Sequence, residues 1–265
     1  EHMMHFNYGS KAWYLPAVID WGWCPTGSNE IVPFSNNVGV LETAIEGLGM
    51  HEATGIQFGL KWGLGLVDPG MRSAITTLSG TSAVDAKFAG RPGDYTDAQT
   101  VKYVVLMTDG AITRQQRLSL SRYDYDSASS PADCFDADGN GTCDYDQSKI
   151  DYYGVEDNYA GSHTFMSTSE SDARAELMSL CDQARVQVTD SDGNTRPKVR
   201  VFTIGFDLPA LDPNFDPLVD TPNDAAEVMY ACASSPADAY LVGTPGLAGA
   251  FQQIAQTIKA LKLSN

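Results

Sequence analysis

Apolar residues run almost without interruption from Tyr103 to Met107 and stop abruptly at Thr108-Asp109-Gly110, which predicts a strand buried on both faces and ending in a carboxylate. In open parallel sheets ligands bind beyond the carboxyl ends of the strands, so Asp109 is the first candidate site residue. A second strand is predicted over Val199 to Phe206 and a small one over Ala239 to Val242. Upstream, Lys11 to Asp20 and Ile31 to Phe34 read as short strands. Each contains a proline, which places them toward a sheet edge.

Helical spacing alternates with these strands. Leu41, Ile45 and Leu48 follow the capping residues Ser35-Asn36-Asn37, and Ile56, Leu60, Leu64 and Val67 recur before the stop at Asp68-Pro69-Gly70. Ser167-Thr168-Ser169-Glu170 is a capping-box pattern opening a helix with Leu177, Leu180, Cys181 and Ala184 on one side. A short helix is predicted from about Asp224 to Ala233. Thr244-Pro245 then opens a last one, with a stripe of Leu247, Phe251, Ile254, Ile258 and Leu261. Strands alternating with helices predict an α/β fold, a doubly wound and mostly parallel central sheet flanked by helices. Met71 to Thr100 is a mixed connector, and Ala111 to Met166 is a loop-rich insertion without sustained apolar period.

Composition narrows the classes of function. The chain has 265 residues and 43% hydrophobic content, and no apolar run approaches the roughly 18 residues of a membrane span. Against 34 acidic residues stand 17 basic ones, a formal charge of -17 that repels phosphate backbones and anionic lipid surfaces. Nucleic acid is excluded as a partner on that ground. Five cysteines, at 24, 134, 143, 181 and 232, include no Cys-x-x-Cys pair. Two disulfides with Cys24 left over, in an oxidising compartment, are the expectation. The opening Glu1-His2-Met3-Met4 suggests a fragment or processed product with any targeting segment upstream.

Three pieces in order carry a resemblance: Ala53-Thr54-Gly55 opening a helix, the strand ending Met107-Thr108-Asp109-Gly110, and the strand Val201 to Phe206. Together they resemble a von Willebrand factor type A domain. Cys24-Pro25, Ile31-Val32-Pro33-Phe34, Gly59-Leu60-Lys61-Trp62-Gly63, Leu180-Cys181, Met229 to Ser234 and Ala250 to Ala255 make the chain similar to the TadG-like proteins of tight-adherence (Flp) pilus assembly. The resemblance covers all but the insertion and implies one Rossmann-like type A domain lacking its first strand. It implies a periplasmic or cell-surface, non-enzymatic module that binds or adheres to pilus or envelope proteins and meets the membrane only through an anchor outside this chain. Such domains hold a divalent ion through an Asp-x-Ser-x-Ser loop, a Thr and an Asp; the last two correspond to Thr54 and Asp109. No Asp-x-Ser-x-Ser occurs from Glu1 to Asn265, so Mg²⁺ or Ca²⁺ is expected there only if a missing segment supplies the other oxygens. The resemblance also supports pairing of Cys181 with Cys232, although as buried thiols the two need no bond.

A separate chemical signal lies in the insertion. Asp136-Ala137-Asp138-Gly139-Asn140-Gly141-Thr142-Cys143-Asp144 follows the first nine positions of an EF-hand-type calcium loop. Oxygens of Asp136, Asp138, Asn140, Thr142 and Asp144 can wrap one Ca²⁺, with Asp146 in place of the absent bidentate Glu. The alternative is a polar turn stapled by Cys134 and Cys143, but carboxylates crowded in a short loop repel one another unless a cation intervenes.

Enzyme signatures are absent by spacing. His51-Glu52-Ala53-Thr54-Gly55 lacks the second histidine of a zinc-protease helix, and neither Gly-x-Ser-x-Gly nor a phosphate-binding Gly-x-x-x-x-Gly-Lys occurs. A calcium-dependent extracytoplasmic hydrolase, with nucleophile and base brought together only by folding, is the competing expectation. A deep cleft pairing those groups would distinguish it from an open binding rim.

Overall fold

The structure, a computed structural model, describes residues 30–48, 55–81, 83–110, 112, 115–118 and 165–263. Two compact units are distinguished. The larger comprises residues 26–50, 54–113 and 171–265, and the smaller residues 1–25, 51–53 and 114–170.

The larger unit is built on β1 (Tyr103–Thr108), β6 (Arg200–Phe206) and β7 (Ala239–Val242), in the order β1-β6-β7 with both pairings parallel. Six α-helices occur among the described residues: α1 (Val38–Glu46), α2 (Ile56–Val67), α3 (Arg72–Gly80), α4 (Glu170–Arg185), α5 (Ala225–Cys232) and α6 (Leu247–Leu263). Helices cover both faces of the sheet, as an α/β fold requires. On one face Ile56 and Leu60 of α2, Leu177 and Cys181 of α4 and Met229 of α5 pack against Leu106 and Val201. On the other, Ala250 and Ile254 of α6 close over Phe202 and Ile204. Each fully buried large side chain contributes about 1.5–3 kcal/mol relative to exposure.

β6 is the strand the helices enclose, with Val201 to Gly205 all buried, and its near-continuous apolar run fits a strand covered on both faces. β1 departs from that expectation. Val104 and Leu106 face α2, whereas Val105 (39% exposed) and Met107 (43%) lie on the opposite side, where the α6 cluster takes in Tyr103 but leaves these two open. Among the described residues β1 is an end strand, not the central one.

Other expectations are corrected by local chemistry. Ile31 to Phe34 is not a strand: Pro33 has no N–H to give a ladder, and Phe34 stacks on Phe88 at 5.7 Å. The following helix α1 forms behind an Asn37 cap whose Oδ1 accepts from Gly39 and Val40, yet Leu41, Ile45 and Leu48 remain exposed. In α2, Gly63 permits the close approach of the sheet, since a Cβ there would already touch Val104 at 3.4 Å. The mixed connector contains α3, whose Ile75 is buried. In α6 Leu247, Ile254 and Ile258 face the sheet as expected, while the buried Ala250 takes the place of Phe251, which is exposed. Pro245 starts a 3-10 turn over Thr244–Gly246 ahead of the α-helix. A hairpin of β4 (Gln187–Thr189) and β5 (Thr195–Pro197) surrounds the predicted turn, where Asp190 Oδ1 accepts from Asp192 and Asn194.

Within the smaller unit, β2 (Gln115–Leu118) pairs antiparallel with β3 (Phe165–Thr168). The two ends of the insertion therefore form a ladder where irregular chain was expected. Short polar strands such as Gln115-Gln116-Arg117-Leu118 carry little apolar period, so their partner is visible only in three dimensions.

Candidate functional site

The three parallel strands finish at nearly one level. Thr108 is in register with Gly205 and Phe206 with Val242, so Asp207 and Gly243 leave the sheet side by side, and Asp109 leaves the same carboxyl edge one residue earlier. Asp109 is exposed. Beside it the buried Thr108 hydroxyl donates to the Gly110 carbonyl and accepts from the Gly110 amide, both at 3.3 Å, which fixes the turn carrying Asp109. Asp207 adopts φ 51° and is held by its N–H donating to Val242 O at 3.0 Å. Thr244 Oγ1 donates to Asp207 Oδ2 at 3.4 Å, and a side chain at Gly243 would stand 3.1 Å from Asp207 Oδ1. The rim thus presents two carboxylates and a hydroxyl in an open arrangement.

The first turn of α2 lies at the same edge, because α2 runs antiparallel to β1, with Gly63 against Val104 and Val67 O bound by Lys102. Gln57 in that turn is 2% exposed, and neither of its amide atoms has a hydrogen-bond partner. Burial without partners is costly for an amide, which makes Gln57 the least satisfied polar side chain near the rim.

Electrostatics at the opposite edge are of another kind. Lys102, 6% exposed, donates from Nζ to Val67 O and Gly93 O, each at 2.6 Å, and lies 4.1 Å from the Tyr95 ring centroid. Burial lowers its pKa to about 8. Tyr95 donates to Asp68 Oδ2 at 2.9 Å, and burial together with that carboxylate pushes its hydroxyl pKa well up. Arg200 pairs with Asp238 at 2.8 Å, and Ser235 Oγ donates to the same carboxylate at 2.8 Å.

Of the residues the sequence singled out, Asp109 is at the rim, while Thr54 lies outside the described residues, as do Asp136, Asp138, Asn140, Thr142, Asp144 and Asp146. Cys24, Cys134 and Cys143 lie outside them too. Cys181 and Cys232 form a disulfide with S–S 2.00 Å, joining α4 to α5. Among the described residues no three His, Cys, Asp or Glu side chains converge as a metal-binding group. The rim offers two carboxylates, Asp109 and Asp207, and the Thr244 hydroxyl where Mg²⁺ takes about six oxygens, so the described donors do not by themselves fit a divalent ion.

Sequence reasoning missed Asp207, Gln57 and the loop that follows β6. The signal for Asp207 was present, since Phe206-Asp207 repeats the apolar-run-then-carboxylate pattern of Thr108-Asp109. No protein-family model, curated protein or solved structure matches the chain.

Proposed function

We propose that the chain is a non-enzymatic, extracytoplasmic protein-binding module of the von Willebrand type A kind, serving pilus assembly or adhesion in the manner of TadG-like proteins. The observation that carries this reading is the exposed Asp109 at the carboxyl edge of a parallel sheet, on the same edge as Asp207 and Gly243 and open to solvent. The order of motifs around Thr54, Asp109 and Val201 to Phe206 supports the family, and the Cys181–Cys232 bond accords with an oxidising envelope compartment. Its partners are pilus or envelope proteins, and its site on the complete protein is membrane-anchored. The insertion binds one Ca²⁺ through Asp136, Asp138, Asn140, Thr142, Asp144 and Asp146 as a stabilising ion. Thr54 and Asp109 join an adhesion-type Mg²⁺ or Ca²⁺ site only with oxygens from elsewhere.

A photo-crosslinking residue placed at position 109 is expected to capture a pilus or envelope protein in cells that make this one. The same residue at the exposed position 259 on α6 serves as control, and equal capture from both would overturn the rim reading. For the ion, calcium is expected to raise the melting temperature, and Asp136→Ala with Asp138→Ala to abolish the rise.

A further inference from the structure

The connection from β6 to α5, residues 207–224, contains five aspartates and four prolines and no lysine or arginine. It is nonetheless tied down along its length. At its start Leu208 folds back over Gly205, where an added Cβ would stand 2.7 Å from Leu208 Cδ1, so the tuck depends on glycine. In the middle Asp212 O accepts from Phe215 N at 3.0 Å, and the Phe215 ring meets Tyr230 edge-on at 6.3 Å. At the end Asn223 N donates to Glu227 Oε2 at 2.7 Å, while Glu227 N donates to Asp224 Oδ1 at 2.9 Å. Asp224 thus caps α5, and Glu227 reaches back past it to hold the residue before the cap. Arg174 adds a bond to Asn223 O at 3.1 Å.

Between these anchors the turn 216–220 closes on itself. Asp216 Oδ1 accepts from Leu218 N at 3.0 Å, Asp216 O accepts from Val219 N and Asp220 N, and Asp220 Oδ2 accepts from Asp216 N at 2.8 Å. The turn holds Leu218 (91% exposed) and Val219 (78%) in water, the two most exposed large apolar side chains among the described residues. Prolines and side-chain-capped turns remove freedom that docking would otherwise have to remove, so this pair is presented in a preorganised form.

We propose that the 216–220 turn is a protein-docking tip that inserts Leu218 and Val219 into an apolar pocket bordered by lysine or arginine side chains of a partner protein. Charge complementarity selects that occupant. Asp212, Asp216 and Asp220 are all exposed around the pair, and no basic residue of the loop offsets them. A second copy of the chain, at -17, and an anionic bilayer are both repelled by such a tip. The tip rises from the edge that carries Asp109, so it rests on the rim reading above and specifies the chemistry of its partner.

The test uses the full chain, immobilised and challenged with a phage-displayed peptide library, with binding of the selected peptides then measured by fluorescence polarisation. Selected peptides are expected to combine large apolar residues with flanking Lys or Arg and to weaken as salt rises. Leu218→Ser with Val219→Ser is expected to raise their Kd at least tenfold while circular dichroism and melting temperature stay as in the parent. Failure to select such peptides, or binding to the double variant within twofold of the parent, would overturn the tip. Loss on Asp109→Ala without loss on the tip variant would overturn the tip and leave the rim reading standing. Tip-dependent self-association in sedimentation, or tip-dependent retention on phosphatidylcholine vesicles, would also overturn it by assigning another occupant.

Discussion

The two edges of the same three-stranded sheet treat charge in opposite ways. At the amino edge Lys102, Arg196, Arg200 and Asp238 are wholly or partly drawn inside and meet carbonyls, carboxylates or a ring, while Tyr103 Oη and Arg196 Nε are buried without a hydrogen-bond partner. The α5 terminus belongs to this edge, because Ser234 exchanges hydrogen bonds with Val201, and Arg185 there donates to Ala231 O and Ala233 O. At the carboxyl edge Asp109, Asp207 and the tip at Leu218 stay exposed. Groups sequestered in pairs hold the fold but cannot meet a ligand, whereas solvated groups held by short turns contribute little to folding and remain available. The contrast separates stability from binding along a single set of strands.

Substitutions at the amino edge are therefore expected to dominate stability. The largest effect is assigned to Cys181→Ala with Cys232→Ala, which releases a link across a sequence separation of 51 and costs about 4 kcal/mol by loop-closure entropy. Urea unfolding of oxidised and variant protein measures it; a shift under 1 kcal/mol would break the assignment. Arg200→Ala is next, at about 3 kcal/mol, since it leaves the buried Asp238 carboxylate with only Ser235 as a side-chain donor. Gly205→Ala, at the carboxyl end of β6, is expected to cost about 1–3 kcal/mol, because its methyl group would lie 2.6 Å from Leu241 and 2.7 Å from Leu208. It sharpens the comparison by showing that the rim depends on backbone packing even though its charged groups do not.

Lys102 gives a smaller, pH-dependent effect. Its folded-state pKa of about 8 lies below the ordinary 10.5, so between those values the unfolded chain binds more protons. Stability is expected to rise with pH from about 8 toward 10, and then to fall as unfolded tyrosines ionise while the partly buried Tyr95 stays protonated. Lys102→Met is expected to flatten the rise in urea midpoints measured from pH 7 to 10. The smallest effect belongs to Asp109→Asn, within about 0.5 kcal/mol of the parent, as for an ordinary surface substitution. A large destabilisation there would make Asp109 structural and erase the difference between the edges.

Several elements were legible in the sequence for identifiable reasons. The run Val199 to Phe206 declared a strand, and Ile56, Leu60 and Val67 declared α2. The similar run at Val104 to Met107 misled, because hydropathy does not say whether a neighbouring element reaches the second face. Ile31 to Phe34 misled for the opposite reason: an apolar segment can spend its side chains on stacking, as Phe34 does with Phe88, without joining a ladder. The Leu218 and Val219 tip gave no signal, since two apolar residues among Asp and Pro follow no period.

By itself the sequence determined that the chain alternates strands and helices into an α/β sheet, and that a carboxylate ends the strand at Asp109. Periodicity, caps and breakers act over a few residues and can be read locally. Only the tertiary structure decided that β6 lies between β1 and β7, that Asp207 and Gly243 share the carboxyl edge with Asp109, and that Lys102 is buried while Leu218 is not. Those facts depend on strand register and on which helix covers which face. Contacts between residues about a hundred positions apart set them, as when Arg196 donates to Asp97 O and Thr100 O, and no local pattern encodes such contacts.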